Sequence, residues 1–416
     1  MTAPRHVTVA LLSWNGREHL QACLPALEAQ VDPGVAWDVL VLDNGSTDDT
    51  SAWVRREHPH VRLIRSERNL GFCAGSNRLV AAADSDAVAF LNDDTRPAPT
   101  WLAALVGALA EAPDDVAAVS GLLTDWEGER LDCARGVMTF DGHAFQLGRG
   151  RPLATAPLPP AGAELFCPSG GNMLIRRDAF LDAGGFDEEY FAYYDDVDLG
   201  WRLWSGGRRV LYAPEAVAAH RGGATGNRLG VHNRTTLLER NAFRTAYKNY
   251  EASLWDAMMP AILLTLLARS QTLLEQSPLG AAVAAADVGS LEPALAPPPE
   301  RGDNLGWLAS GIERVWRGRP RPPAPPPRIT DARAIARFRA VGFLLRHLDG
   351  AADERAAVQA RRRRGDREIF ERFPLYLVPT YPGDEAFFAS PGFRTWLPRD
   401  LPLVTSTLAA VMHVDR

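Results

Sequence analysis

Cysteine is scarce. The 416 residues hold four, Cys23, Cys73, Cys133 and Cys167, with no Cys-x-x-Cys pair, which excludes a zinc knuckle or disulfide framework and leaves reduced, mostly buried thiols as the expectation. No uninterrupted apolar stretch reaches the roughly 18 to 20 residues of a membrane-spanning helix. The longest, Ala257 to Ala268, contains Pro260 and stops at Arg269, so it is expected to be able to lie on a membrane but not to cross one. The opening Met1-Thr-Ala-Pro-Arg-His6 has no basic, apolar, small-residue sequence of a secretory signal, so a cytoplasmic protein is expected. Charge of one sign is also lacking: the net value of -6 argues against a protein built to wrap nucleic acid. That sum hides an asymmetry. Glu300 to Arg372 contains 17 Arg and 10 Asp or Glu, a local +7, which leaves -13 for the rest. Its Arg361 to Arg364 run sits in a helix-compatible segment reaching Phe373 that suits an anionic lipid surface, a nucleic acid or plain solvent.

What is present is globular. Hydrophobic residues make up 46% and charged residues 23%, and the length suits one large catalytic-size domain with an appended region. The apolar runs Val7–Leu12, Val39–Leu42, Val61–Ile64 and Ala87–Leu91 read as strands. Helical stretches fall between them at Arg17–Gln30, from Ser46-Thr47-Asp48 through Arg56, and at Gly75–Ala83. This is a βαβ series with a buried, mostly parallel sheet. Three strands end in polar loops, Ser13–Gly16, Asp43–Thr47 and Asn92–Asp94, on the carboxyl edge where such sheets bind ligands. Further on, Met173–Ile175 and Arg209–Tyr212 read as strands and Asp196–Trp204 as a helix. Thr235–Arg269 reads as amphipathic helix, Ala281–Pro299 is Ala- and Pro-rich, and Arg317–Arg328 is a Pro-rich spacer.

The acids at strand ends carry the chemistry. Asp43 can accept hydrogen bonds from a base or ribose, or can merely cap the next helix with Ser46. Asp93 and Asp94 are adjacent carboxylates that need a cation or solvent between them, and an oxygen-rich site of this kind suits magnesium or manganese. Asp195 and Asp196 either form a reactive pair or simply favour the N-terminus of their helix, where Asp198 can pair with Arg202.

Taken in order, Val9-Ala-Leu-Leu-Ser-Trp-Asn15, Leu42–Thr50, Asn69-Leu-Gly-Phe-Cys-Ala-Gly-Ser-Asn77, Leu91-Asn-Asp-Asp94 and Tyr193-Tyr-Asp-Asp-Val-Asp-Leu199 resemble the motif series of family 2 glycosyltransferases, nearest the bacterial rhamnosyltransferase-like subgroup. The resemblance spans about residues 6 to 250. It implies a GT-A fold, an α/β Rossmann-like, mixed but mostly parallel sheet flanked by helices, here with a mainly helical C-terminal extension. The corresponding divisions are 1–235 catalytic (nucleotide-sugar half about 1–115, acceptor half about 116–235), 236–300 amphipathic helical, 301–330 a Pro/Arg-rich linker and 331–416 basic and helical. The activity implied is inverting, metal-dependent transfer from a nucleoside-diphosphate sugar, dTDP-rhamnose first and UDP-hexose or UDP-N-acetylhexosamine next. The acceptor would be a glycan or lipid-linked hydroxyl in cell-surface polysaccharide assembly, reached from the cytoplasmic face of the membrane, and no nucleic acid is expected. By the same resemblance, Asp43 and Ser46 with Ser13, Trp14 and Asn15 line the nucleotide pocket, and Asn69, Gly71, Phe72 and Asn77 shape the donor side. The family's Asp-x-Asp triplet is Asn92-Asp93-Asp94 here, which makes Asp94 the main Mg2+ or Mn2+ ligand. His220 reaches the metal or diphosphate, with Arg221 and Thr225 as phosphate neighbours, and Ser169-Gly-Gly-Asn-Met173 floors the acceptor site. Asp196 is the candidate general base and Asp195 its support. Three rival readings are a nucleic-acid-binding module resting on Arg361 to Arg364, a catalytically silent scaffold of the same fold and a sugar nucleotidyltransferase. The last is disfavoured because Ser13-Trp-Asn-Gly16 is not a glycine-rich basic phosphate loop.

Overall fold

The computed structural model describes residues 3–222, 230–275 and 332–412. Within them the alternating apolar runs become one mixed sheet with helices on both faces. The first half runs β1 (His6–Ser13), α1 (Arg17–Glu28), β2 (Ala36–Asn44), α2 (Thr50–Glu57), β3 (Arg62–Ser66), α3 (Gly71–Ala82) and β4 (Ala87–Asn92). It continues through β5 (Thr95–Pro97), α4 (Trp101–Glu111), β6 (Val116–Thr124), β7 (Leu131–Cys133), β8 (Gly136–Met138), β9 (Ala144–Gln146), β10 (Asn172–Arg176), α5 (Arg177–Asp182), α6 (Asp195–Ser205) and β11 (Arg209–His220). The sheet order is β3-β2-β1-β4-β10-β6-β11-β5, with β7 on β6. Strands β1 to β4 are parallel, and β10 runs antiparallel between β4 and β6. Two-sided burial explains the unbroken apolar runs: Val7, Val9 and Leu11 of β1 join the core on one face and Ala10 the core on the other. All four cysteines are free and buried.

Several elements depart from the sequence expectation for local reasons. Helix α3 starts at Gly71, four residues early, because Asn69 Oδ1 accepts from Gly71 N (2.8 Å) and Gly71 takes a positive φ of 82°. Helix α2 is not capped by Ser46 or Thr47. The Asp48 carboxylate takes Thr50 N instead (3.0 Å), while Ser46 Oγ is used by Asn15 N (2.8 Å). Strand β11 does not stop at Tyr212; it passes an irregularity between Tyr212 and Val217 and continues to His220.

The stretch from Thr235 to Arg269 is two helices, α7 (Gly230–Asn249) and α8 (Ala252–Glu275). The break falls where the Tyr250 hydroxyl donates to Phe140 O (2.9 Å) and Glu251 N donates to Asp366 (2.6 Å). Contrary to the sequence reading, α8 is long and apolar enough, by length and composition alone, to cross a membrane. Arg269 does not end it but lies inside it, buried against Asp141 (2.7 Å) and Asp384 (3.0 Å). One side of α8 carries buried Met258, Ala261 and Ile262, while Leu263 and Leu267 are exposed.

The C-terminal helices 332–346, 348–360 and 366–372 return to the sheet-bearing half. Phe370, Leu375 and Phe393 share one hydrophobic core with Phe166, Trp201, Trp204 and Tyr250. The Arg361–Arg364 run lies beyond the end of helix 348–360 instead of continuing it. Arg363 N and Arg364 N donate to Ser205 O (2.7 and 2.9 Å), Arg362 pairs with Asp366 (2.8 Å), and the Arg364 guanidinium lies over Trp204 (5.0 Å). Half of the basic run is thus a staple onto the sheet-bearing half, with Arg361 and Arg363 left exposed. Thr225, Ala281–Pro299 and Arg317–Arg328 lie outside the described residues.

Candidate active site

The carboxyl edge of the parallel strands collects the motif residues. At the end of β1, Asn15 adopts φ 51° and its Oδ1 accepts from Thr47 N (2.8 Å), which ties the β1 and β2 loops together. Trp14 is half-buried in the same loop. The fully buried Ser13 hydroxyl has no partner among the described residues. Asp43 is fully buried: it accepts from Ser46 N (2.8 Å) and Ser51 Oγ, and Arg65 Nη1 lies 3.0 Å away. The exposed member of that pair is Arg65, whose other nitrogen donates to Ser46 O (2.8 Å). Arg65 is therefore the solvent-facing group of this loop, with buried Asp43 as its anchor.

The donor-side motif is mostly architectural. A Cβ on Gly71 would lie 2.5 Å from the Phe191 ring, and Phe72 N donates to Phe191 O (2.6 Å), so only glycine lets α3 approach the 191 loop this closely. Asn77 does not face a ligand. Its amide exchanges hydrogen bonds with Phe186 N (2.9 Å) and Phe186 O (2.8 Å) and clamps the same loop from below.

The Asn92-Asp93-Asp94 triplet splits by direction. Asp93 Oδ2 and Ser13 Oγ both lie 2.2 Å from where a Cβ on Gly16 would sit, so Asp93 faces the β1 loop. Asp94 faces His220, with Oδ1 3.1 Å from Nε2, and the Asn92 amide lies 3.5 Å from that same nitrogen. The pairing of β5 with β11 places His220 opposite Thr95 and causes this meeting. The other imidazole nitrogen, Nδ1, lies 2.6 Å from Asp132, which β7 delivers by pairing with the end of β6 and which Arg149 holds at 2.8 Å. Burial opposes charge on His220, but Asp132 and Asp94 outweigh it and raise its pKa to about 10. Burial likewise pushes Asp94 and Asp132 up, yet contact with His220 leaves both below the ordinary carboxyl value. A histidine oriented through one nitrogen by a carboxylate and aimed at a second carboxylate is a donor set that fits a divalent cation. Asp94 and His220 would hold it, with Asn92 alongside. Arg221 N donates to Asp94 O (3.0 Å), and the Arg221 side chain stacks on Trp126 (4.2 Å), whose ring also carries Arg96 (4.6 Å).

The second acidic centre lies across one turn. Gly170 backs onto Asp195 Oδ2, 3.3 Å from a would-be Cβ, while Gly171 backs onto the Asn92 amide at 2.6 Å, so consecutive glycines separate the two acidic centres. Asn172 is structural, held by Trp101 Nε1 (2.7 Å) and by the carbonyls of Leu122 and Ala216 (3.1 and 3.0 Å). The helix-stabilising role in α6 belongs to Asp198, which pairs with Arg202 (2.8 Å) and Lys248 (2.9 Å). No Lys or Arg among the described residues pairs with Asp195 or Asp196. Burial, and for Asp195 the neighbouring Asp196, raise both carboxyls, Asp196 to about 6.

The chain leading into this pair is strained. Phe191 (φ 64°, ψ -55°) centres a γ-turn closed by Ala192 N on Tyr190 O (2.7 Å), and Tyr193 and Tyr194 have φ of 72° and 63°. Helix α7 holds it. Buried Asn241 donates through its amide to the carbonyls of Tyr190, Ala192 and Tyr193 (3.1, 2.8 and 2.9 Å), and Arg240 donates to those of Glu189 and Tyr190 (2.6 and 2.7 Å). No sequence motif points to Asp132, Arg65, Arg240 or Asn241. The one available signal is the set of polar residues Glu239, Arg240, Asn241, Arg244, Lys248 and Asn249 recurring at helical spacing on a face that is buried.

A sequence model described as Glycosyl transferase family 2 matches residues 8–183. The N-acetylglucosaminyl-diphospho-decaprenol L-rhamnosyltransferase of Mycobacterium tuberculosis is 32% identical over 255 residues, which are 55% of this chain and 82% of that protein. The chain belongs to family 2 of the glycosyltransferases. Within this family it is rhamnosyltransferase-like and has the GT-A type of mixed sheet with a helical C-terminal region. The pre-mycofactocin glycosyltransferase of the same organism is 31% identical over 187 residues, covering 44% of this glycosyltransferase and 37% of that one. Among solved structures, GalNAc-T7 with UDP, GalNAc and Mn2+ aligns with TM-score 0.49 at 15% identity, over 77% of this chain and 59% of that chain. A mannosyltransferase from Pyrobaculum calidifontis with GDP-Man and Mn2+ aligns with TM-score 0.46 at 19% identity, over 83% and 88%.

Proposed function

We propose that this glycosyltransferase transfers a sugar with inversion from a nucleoside diphosphate, dTDP-rhamnose being the first candidate, to a hydroxyl of a lipid-linked or glycan acceptor in cell-surface polysaccharide assembly. The donor and acceptor classes rest on the relative at 32% identity. The mechanism rests on one observation: a His-carboxylate site and an acidic pair without a cation partner among the described residues lie on either side of Gly170-Gly171.

Arg65, held by buried Asp43, receives the base, with Ser13, Trp14, Asn15 and Ser46 along the loop, and Phe72 and Asp195 lie on the sugar side. Asp94 and His220 would hold Mg2+ or Mn2+, Asp93 and Arg221 flanking the diphosphate. A cation there would offset the charge that develops on the departing diphosphate. Asp196, half-buried and poised near pH 6, takes the acceptor's proton as its oxygen attacks the anomeric carbon from the face opposite the leaving group. The exposed Leu263 and Leu267 of α8, with exposed Arg361 and Arg363, are the features that would meet an anionic membrane carrying the acceptor.

A donor-hydrolysis and thermal-shift screen across dTDP-, UDP- and GDP-sugars, with and without Mg2+ or Mn2+, tests this. The expected result is metal-dependent stabilisation by one donor, lost in Asp94→Ala, and retained without turnover in Asp196→Asn. Failure of every nucleotide sugar to bind refutes the catalytic reading and leaves a silent scaffold of the same fold.

A further inference from the structure

A second cluster of metal-type side chains lies at the opposite edge of the sheet. Glu28 is the last residue of α1, and His58 and His60 stand in the turn between α2 and β3. His58 Nδ1 is 2.5 Å and His60 Nε2 3.1 Å from the same oxygen, Glu28 Oε1, and the three donor atoms all lie within 4.8 Å of one another. His58 is buried and its ring plane is set by edge contact with Trp53 (centroids 4.9 Å apart), while His60 and Glu28 are solvent-facing. Pro59 between the histidines restricts the backbone of His58 and limits how far the two rings can drift apart.

We infer that Glu28, His58 and His60 form a binding site for a first-row transition-metal dication, of which Zn2+ is the natural probe. Two imidazoles and one carboxylate oxygen are a nitrogen-rich donor set, which suits zinc better than magnesium. Zinc bonds of about 2.0–2.1 Å in tetrahedral geometry put neighbouring donor atoms a little over 3 Å apart. The Glu28–His60 distance already meets that. Glu28, at a helix end and partly in solvent, withdraws from His58 by less than about 1 Å to reach it, and the imidazoles close around the ion. The fourth position opens to water. Bound there, the ion ties the C-terminus of α1 to the entry of β3. Eight-residue β1 and its neighbours, at about 3.3 Å per residue, separate this site from Asp94 and His220 by on the order of 20 Å, so the two sites are distinct.

The test is calorimetric titration of the chelator-stripped full-length chain with Zn2+, in the wild type, His60→Ala, Glu28→Gln and His220→Ala. His60 and Glu28 are surface residues, so the first two variants keep the fold. The expected result is one equivalent lost in His60→Ala and in Glu28→Gln, and that same equivalent retained in His220→Ala. Added Zn2+ should also raise Tm in His220→Ala but not in the His60→Ala, His220→Ala double variant. Unchanged stoichiometry in His60→Ala, or wild-type binding that His220→Ala removes entirely, overturns the assignment.

Discussion

Asn241 never touches the reacting atoms, yet its replacement by alanine tests how the acidic pair is held. Each of Phe191, Tyr193 and Tyr194 has a positive φ that costs about 1–2 kcal/mol for a residue with a side chain, so this turn stores roughly 3–6 kcal/mol. The Asn241 amide offers two N–H groups, shared among three carbonyls in a fully buried setting. Deleting it leaves the Ala192 and Tyr193 carbonyls without this donor, at about 1–2 kcal/mol each, while Tyr190 O keeps Arg240 and Ala192 N. A loss of about 2–4 kcal/mol is comparable with the stored strain, so the turn relaxes and the Asp196 carboxylate leaves its position for much of the time. The expected outcome is a kcat for sugar transfer reduced at least about tenfold and global stability lowered by about 2–4 kcal/mol. The donor dissociation constant should stay within about twofold, because Asp94 sits in the tight turn between β4 and β5, Asp132 on β7 and His220 on β11, none of them in this turn. Steady-state transfer kinetics well below Tm, donor titration and urea denaturation separate these terms. A folded Asn241→Ala protein with unchanged kcat would refute the reasoning.

Three further outcomes follow from the charges. Transfer should require ionised Asp196, so kcat should fall with unit slope below about pH 6, and Asp196→Asn should remove the activity. The sign for stability is the reverse. A carboxyl raised from its ordinary 3.8 to about 6 favours the fold below pH 4 and loses that contribution as pH rises through 6, at most ~3 kcal/mol; Asp196→Asn should therefore raise Tm at pH 7.5 and leave it near wild type at pH 4. Asp132→Asn should weaken Mn2+ binding about 10–100-fold while leaving the circular dichroism spectrum unchanged, since it only orients His220; unaltered affinity would dissociate Asp132 from the site. Buried His143, between Asp141 (3.2 Å) and Glu239 (3.7 Å), has its pKa raised to about 9 against the opposing effect of burial. Its contribution to stability is complete below pH 6.5 and lost as pH climbs through 9, so Tm should drop across that window in the wild type and drop less in His143→Gln.

The strands from β1 to β4, and the loops that end them, were legible because two-sided burial writes itself as unbroken apolar runs, and because polar residues must follow where such strands reach solvent. Asp94, Asp195, Asp196 and His220 could be named from short motifs. Their partners could not. Asp132 meets His220 only because β7 pairs with the end of β6 while β11 pairs with β5, contacts between residues 88 apart in sequence. Asn241 and Arg240 read as the polar face of an amphipathic helix, and it took packing to show that this face turns inward onto a strained loop. The same applies to Arg269, whose charge reads in sequence as the end of an apolar run and is matched in the fold by Asp141 and Asp384. Periodicity and local turn chemistry act over a few residues and so are carried by the sequence itself. Which side chain completes a buried pair depends on contacts between distant segments, and only the tertiary structure decides those.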